Sequence, residues 1–205
     1  MSTADRSPRL GRPRQVEDEA VFDAMATVLL RVGWARMTIG QVAAELGVTP
    51  AALRQRFGAK RALFTAFYAW HTERLESGQD EPPHEGPALD ALRAMASQSV
   101  GFIETPEQMR HAMSPLIEFE DDPAIQRMTR ARFASAVERT TALLERAAGN
   151  GEIICADPGA LAKQLQNCLV GTSLVWSFDA GRPIADEALD MVEQVLAPYL
   201  RTPDH

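Results

Sequence analysis

The sequence predicts an all-α protein in which a small N-terminal helical domain is joined by a long helix to a larger helical domain. Apolar residues recur at helical spacing along nearly the whole chain, and no segment shows the sustained alternation that is typical of strands. Several helix starts carry an N-cap residue followed by proline. With 205 residues, 45% of them hydrophobic, the chain can bury a core that needs neither disulfides nor a metal.

The cysteine count and the absence of long apolar runs restrict the class of protein further. Cys155 and Cys168 are too few for a disulfide framework and lack the partners of a zinc site, so we expect reduced thiols in a cytoplasmic protein. No stretch reaches 18 consecutive apolar residues, and the first residues are polar and basic. The sequence therefore predicts no membrane span, no membrane partner and no secretory signal.

The first helix is predicted from about Val16 to Val32. Gly33 supplies the left-handed residue that commonly follows a helix end. The apolar stripe that defines this helix consists of Val21, Phe22, Met25, Val28, Leu29 and Val32.

Two short helices follow, and local capping signals define both. Thr38 and Gln41 have the spacing of a capping box, which starts a second helix from Ile39 to Leu46 that ends at Gly47. Thr49 is a good N-cap and Pro50 suits the first helical position, so a third helix runs from Pro50 to Phe57.

The remaining helices are predicted from the spacing of apolar residues and from helix breakers. A fourth helix begins at Lys60 and extends to about Ser77. Two further helical patterns follow, one with Leu89, Leu92, Met95 and Phe102 and the next with Met109, Met113, Leu116 and Ile117. Asp122-Pro123 and Asp157-Pro158 start helices of about 25 and 20 residues by apolar spacing, and a last helix follows Gly181-Arg182-Pro183.

The second and third helices are joined by only three residues, 47 to 49, which is the spacing of a helix-turn-helix. A hairpin inside a helical bundle would need the same turn, but it would not need small exposed residues at the start of its second helix. The small residues at 50 to 52 would let this helix approach a DNA major groove, where Arg54 and Gln55 could reach base edges and Arg56 the phosphates.

Charge is unevenly distributed in a way that favours a polyanionic partner for the N-terminal part. Residues 1–70 carry ten Lys and Arg against six Asp and Glu, whereas the rest of the chain carries eleven against 22. The segment 1–14, with Arg6, Arg9, Arg12 and Arg14, suits a flexible arm that tracks phosphates or enters the minor groove. The alternatives are an ordinary uneven surface and a merely solvated tail.

Residues 10 to 67 resemble the DNA-binding domain of the tetracycline-repressor (TetR) family. The residues that carry this resemblance are Thr38 through Thr49, followed by Leu53, Phe57, Lys60, Ala62, Leu63 and Phe64. The resemblance implies a homodimer that represses transcription at operator DNA until a small molecule binds the C-terminal domain. It also implies phosphate contacts by Thr38 and, near the start of the fourth helix, by Lys60, for which a solvated surface lysine is the alternative. Arg54 and Arg56 stand where the family often has aromatic residues, so we expect arginine to take more of the DNA contacts.

These arguments give three predicted regions and one set of candidate contacts to double-stranded operator DNA. The regions are the arm 1–14, a helix-turn-helix domain 15–62 and a regulatory domain 63–205. The candidate DNA-binding residues are Thr38, Thr49, Pro50, Ala51, Ala52, Arg54, Gln55, Arg56 and Lys60, with Arg12 and Arg14 of the arm.

The C-terminal region is expected to form the homodimer and to bind an unidentified small-molecule effector. The last two helices have broad apolar faces, so four helices could pack across a two-fold axis; alternatively, those faces only complete the monomer core. Pro115 suggests a kink beside a pocket, and Glu104, Glu107, Glu118 and Glu120 would favour a cationic effector if they pointed inward. The residues expected to line a pocket are Trp70, Phe102, Met109, Met113, Phe119, Phe133 and Trp176.

No motif in the sequence indicates an enzyme, a metal site or a cofactor. The metalloprotease, nucleophile-elbow, Walker and dinucleotide patterns are absent, and the prolines between Glu81 and His84 forbid the helix that a di-iron site would need. Two hypotheses remain: a ligand-responsive transcriptional repressor, and a helical ligand-binding or interaction protein without specific operator recognition.

Overall fold

A computed structural model describes residues 17–76, 86–119 and 121–201. In these residues the chain forms α-helices, one short 3-10 helix and an isolated bridge between Ile153 and Leu200. The helices are α1 (Asp18–Arg36), α2 (Ile39–Leu46), α3 (Pro50–Phe57), α4 (Lys60–Glu76), α5 (Ala88–Val100), α6 (Pro106–Glu118), α7 (Pro123–Gly149), α8 (Pro158–Trp176) and α9 (Ile184–Leu196), followed by the 3-10 helix Ala197–Tyr199. The all-α prediction is confirmed.

The first helix is longer than the sequence predicts. Gly33 leaves helical geometry as expected, with φ 75° and ψ 162°, but another helical turn follows and continues to Arg36. The helix is therefore interrupted where the sequence predicts its end, and the turn after the interruption extends it to Arg36. The interruption matters because α6 packs against α1 at this point.

Side-chain caps start most of the predicted helices. The Thr38 hydroxyl accepts from the Gln41 N–H and the Gln41 side chain accepts from the Thr38 N–H, so the capping box is complete. The side chains of Asp122 and Asp157 accept N–H groups at the starts of α7 and α8, as their Asp-Pro pairs predict. These contacts satisfy donors that have no partner inside the helix.

Within the described residues, buried side chains form three apolar clusters. The first joins α1, α2, α3 and α4 and also includes Phe119 and Ile125, which come from beyond the predicted DNA-binding domain. The second lies between α5, α7, α8 and α9. The third includes Met109 of α6, Trp176 of α8 and Ile184 of α9. Among the described residues, no helix combines the length and apolar character needed to cross a membrane.

Candidate nucleic-acid interface and regulatory cavity

The turn between α2 and α3 is held by backbone geometry that glycine makes possible. Gly47 adopts a left-handed conformation, with φ 67° and ψ 28°. The Val48 N–H donates to the Ala43 carbonyl at 3.0 Å, which closes the end of α2. The Thr49 hydroxyl then accepts from the Ala52 N–H at 3.2 Å and starts α3. The orientation of α3 relative to α2 therefore follows from residues within the turn.

Helix α3 has one buried side and one exposed side. Leu53 is 4% exposed and Phe57 is half-buried, so these two residues anchor the helix to the first cluster. The exposed residues are Pro50, Ala51, Ala52, Arg54, Gln55 and Arg56. This side is the one on which the sequence predicts DNA contacts.

Arg56 has an acidic partner that the sequence analysis missed. Its guanidinium pairs with the carboxylate of Asp18 at the start of α1, and it lies 5.2 Å from the centre of the Phe57 ring. Arg54, by contrast, makes no ion pair with the described residues. The acidic residues in the first turn of α1 are visible in the sequence. Their distance from Arg56 is not, because it depends on how α1 and α3 pack.

Lys60 is directed toward α1. Its ammonium donates to the Trp34 carbonyl at 2.8 Å and lies 4.2 Å from the centre of the Trp34 indole. Thr38 is exposed, and its hydroxyl serves the capping box. Arg12 and Arg14 lie outside the described residues.

Comparison with known families supports a role for this unit in transcription. Residues 21–67 match the family described as "Bacterial regulatory proteins, tetR family". The chain is a TetR-like transcriptional regulator. The match covers α2, α3, most of α1 and the beginning of α4, so it includes the entire helix-turn-helix.

Solved structures show that the TetR-like fold extends over most of the chain. SmeT, the repressor of the Stenotrophomonas maltophilia multidrug efflux pump SmeDEF, is 21% identical with a TM-score of 0.65 and covers 92% of this chain and 93% of its own. A TetR transcription regulator from Haloarcula marismortui is 18% identical with a TM-score of 0.70 and covers 90% and 98%. NalD, the secondary repressor of the MexAB-OprM multidrug efflux pump in Pseudomonas aeruginosa, is 20% identical with a TM-score of 0.58 and covers 91% and 97%. No curated protein matches the sequence.

The seven residues expected to line a ligand pocket do not come together in this TetR-like regulator. Trp70 and Phe119 pack in or against the first cluster, and Met109, Met113 and Trp176 belong to or contact the third. Phe102 and Phe133 are 59% and 36% exposed. The Trp176 indole N–H donates to the Arg182 carbonyl at 2.7 Å, so that side chain is held within the monomer.

A cavity of about 60 Å³ instead lies between α5, α7, α8 and α9. Its lining consists of Leu92, Met95, Ala96, Ser99, Ala136, Arg139, Thr140, Leu165, Gln166, Leu169, Met191 and Val192. Ala96 and Ala136 suggest why space remains, since small side chains on two different helices border the cavity. A larger groove of about 440 Å³ runs over the surface between α1 and α6, but it is open to solvent and five of its six lining residues are polar or charged, so it is the weaker candidate.

The polar groups of the cavity differ in what they can offer a ligand. The Ser99 and Thr140 hydroxyls donate to the carbonyls of Ala96 and Ala136, at 2.7 Å and 2.9 Å, so their remaining lone pairs accept. Arg139 and Gln166 contribute N–H donors, and Arg139 alone among the twelve lining residues is charged. None of the described residues that line the cavity carries a carboxylate. Glu104, Glu107 and Glu118 are exposed, and Glu120 lies outside the described residues.

The apolar face of α8 is divided between the monomer core and the surface. The apolar faces of the last two helices were expected at the dimer interface, but several of their residues are buried in the monomer core: Leu161, Leu165 and Trp176 of α8, with Val192 and Leu196 of α9. A second stripe on and just after α8 remains on the surface, with Val170 37%, Leu174 47%, Val175 68% and Phe178 76% exposed. We call these four residues the α8 surface stripe.

Proposed function

We propose that this protein is a homodimeric repressor that binds a palindromic operator and is released when a small molecule occupies the cavity between α5, α7, α8 and α9. The observation that carries the proposal is the exposed face of α3. Small residues at its start and arginines along its length are held outward by the buried Leu53. One such helix contacts few base pairs, so specific binding needs a second copy across a two-fold axis.

The residues of the interface have distinct proposed roles. Arg54 and Gln55 contact base edges, whereas Arg56, released from Asp18, contacts a phosphate. The starts of α2 and α3 approach the DNA backbone at Thr38, at Thr49 and at the small residues 50–52. Arg12 and Arg14 of the arm extend this contact. The proposed role of Lys60 is indirect. Its ammonium is bound to the Trp34 carbonyl, so it holds α4 against α1.

Operator selection tests the proposal. Fragments of the source genome that bind the protein should share an inverted repeat. Arg54→Ala should then lose about 1 to 3 kcal/mol of discrimination between the selected site and its variants. Arg56→Ala should weaken binding to all sequences equally and reduce the salt dependence by about one unit. Recovery of sequence-independent fragments only would favour the alternative of a ligand-binding protein without operator recognition.

The α8 surface stripe is the proposed centre of the dimer interface. Exposed apolar side chains at helical spacing on one helix suit an isologous four-helix contact with the same stripe of a second copy. Leu174→Glu would place two carboxylates in this contact and should shift the protein to monomers in sedimentation. Ala142→Glu, on the exposed side of α7, is the matched control and should leave the dimer intact.

The proposed effector is an apolar molecule with an acidic or hydrogen-bond-accepting group. Arg139 and Gln166 would bind that group, and Met95 and Met191 are flexible enough to widen the small cavity. A solved complex of the similar SmeT contains triclosan, an apolar phenol, so triclosan is a suitable first probe. Apolar weak acids should raise the melting temperature more than amines of the same carbon skeleton, and Arg139→Gln should remove that preference.

Release requires coupling between the two sites. A coupling free energy of about 1 to 3 kcal/mol would weaken operator binding roughly 5- to 150-fold, and operator must weaken ligand binding by the same factor. Calorimetric titration of a stabilising ligand with and without saturating operator measures both quantities. Equal ligand affinities would exclude induction while leaving DNA binding intact.

A further inference from the structure

The interruption of α1 at Gly33 is filled by a side chain from another helix. A Cβ atom on residue 33 would lie 2.7 Å from Cδ2 of His111, which belongs to α6. The backbone of Gly33 also has φ 75°, a conformation that other residues rarely adopt. Glycine is therefore required twice at this position, once by the backbone and once by the imidazole that packs against it.

The hydrogen bonds of His111 show which ring nitrogen faces α1. Nδ1 lies 2.7 Å from the Leu30 carbonyl oxygen, which can only accept, so Nδ1 donates a proton in this contact. Nε2 lies on the other side of the ring, 3.4 Å from Nη2 of Arg36. The charged groups that face it are Arg36 and Glu107, whose carboxylate is 3.7 Å from Nε2.

This contact lies where the DNA-binding unit meets the regulatory helices. From α1, Val21, Met25 and Val28 are fully buried in the first cluster, with α2, α3 and α4. From α6, Met109 packs in the third cluster with Trp176 and Ile184. The imidazole is 14% exposed and contacts both the carbonyl before the interruption and the glycine that makes it.

We propose that His111 is a positioning residue for DNA binding. Its Nδ1–H group fastens α6 to the interruption in α1 and thereby sets the orientation of the helix-turn-helix relative to the regulatory helices. A movement of α6 can reach the recognition helix through this bond, because α1 carries much of the core on which α2 and α3 pack. The inference rests on the proposed function for its DNA-binding measurement, but its other two measurements do not use DNA.

The first measurement is the tautomer of His111. Long-range proton–nitrogen correlation spectra of the full-length protein near pH 8 should show Nδ1 protonated, with the signal assigned by its loss in His111→Asn. A ring protonated on Nε2 alone would overturn the proposal, because that ring cannot donate to Leu30.

The second measurement compares two substitutions of similar shape. In His111→Asn the amide nitrogen replaces Nδ1 as a donor, whereas His111→Leu has the same branching and no donor. The Met37 N–H donates to the Gly33 carbonyl at 3.0 Å, directly after the interruption. Its hydrogen exchange should therefore be faster in His111→Leu than in His111→Asn. Equal exchange rates in the two variants would overturn the proposal.

The third measurement is affinity for the selected operator well below the melting temperature. His111→Leu should bind roughly threefold or more weakly than His111→Asn, which is the fold-change expected from one net hydrogen bond. Wild-type affinity in His111→Leu, or equal weakening in both variants, would overturn the positioning role. If the unaltered protein selects no operator at all, the proposed function fails, and the tautomer and the exchange rates still decide whether His111 fastens the two helices.

Discussion

The two parts of this protein are packed with different kinds of side chain. The first cluster, on which the helix-turn-helix packs, contains aromatic rings whose neighbouring centres lie 4.8 to 6.2 Å apart; they are Phe22, Trp34, Phe57, Phe64, Phe67, Tyr68, Trp70 and Phe119. The cluster between α5, α7, α8 and α9 is mainly aliphatic and encloses the cavity. Large, rigid rings hold a DNA-contacting surface in one shape, whereas Leu, Ala and Met can repack around a ligand.

Polar contacts join α1 and α4, which carry the first cluster, to α6 and α7. The Arg61 guanidinium of α4 donates to the Asp122 carboxylate at the start of α7, with Nε at 2.9 Å. The Arg36 guanidinium lies 3.5 Å from Glu107, beside the contact between His111 and Leu30. Each hydrogen bond or ion pair contributes little to the net free energy of folding. Contacts of this kind can therefore rearrange without unfolding either cluster.

The largest expected effect tests the aromatic cluster. Phe64 is 1% exposed and contacts the rings of Trp34 and Phe119. Phe64→Ala should lower the free energy of unfolding by about 3 to 5 kcal/mol, because it removes ring contacts and leaves a cavity. Urea unfolding followed by tryptophan fluorescence measures the loss. Phe102→Ala, at a ring that is 59% exposed, should cost under about 1 kcal/mol, and comparable losses would contradict the distinction.

The same substitution in both regions compares their packing directly. Ala43 of α2 is fully buried in the first cluster, whereas Ala136 of α7 borders the cavity. Ala43→Val should destabilise the protein by about 1 to 3 kcal/mol, because the added methyl groups have no space. Ala136→Val places them in the cavity and should cost less than about 1 kcal/mol. Chemical denaturation of both variants measures the difference, and a greater loss at Ala136 would reverse the comparison.

Two carboxylates, those of the buried Asp122 and the half-buried Glu152, should make the stability of each region depend on pH. The Arg61 guanidinium lowers the pKa of Asp122, with help from the N–H groups of Ala124 and Ile125. Burial alone would raise the pKa of Glu152, but the N–H groups of Leu89 and Ala88 lower it below its usual value. Both carboxylates therefore stabilise the fold above their unfolded pKa values of about 3.9 and 4.3, and this stabilisation is lost as the pH falls through the lower folded values.

Asp122→Asn and Glu152→Gln should each flatten this acid dependence. The urea midpoint of the unaltered protein should fall as the pH drops from about 5 toward 3, and each variant should lose part of that slope. Asp121→Asn, at an exposed neighbour of Asp122, is the control and should keep the full slope. If the slope is unchanged in both test variants, the ionised form of neither carboxylate is stabilised by folding.

The smallest expected effect concerns an exposed ion pair within the DNA-binding unit. Arg31 of α1 lies 2.8 Å from Glu45 of α2, and their side chains are 54% and 34% exposed. Arg31→Ala should change the free energy of unfolding by no more than about 1 kcal/mol, and less at high salt, because water and ions screen the pair. A double-mutant cycle with Glu45→Ala isolates the pair. A coupling as large as the loss in Ala43→Val would show that surface charge rather than packing holds α1 against α2.

The helix-turn-helix was predicted accurately because its boundaries depend on neighbouring residues. Thr38 and Gln41 cap α2 across three positions, Gly47 closes it, and Thr49 with Pro50 starts α3. Asp122 and Asp157 act in the same way at α7 and α8. A capping interaction joins residues a few positions apart, so the sequence contains nearly everything needed to predict it.

The cavity, the partner of Lys60 and the surface face of α8 depend on the packing of distant helices. Helical periodicity indicates that Leu165 and Leu174 are apolar positions of α8, but it cannot indicate that the first borders a cavity and the second faces solvent. Lys60 meets a carbonyl 26 residues away, and that contact exists only because α1 and α4 pack together. The sequence alone determined the helices and their caps through short-range hydrogen bonds. Tertiary structure decided which side of each helix is buried, because that depends on which distant helices pack against it.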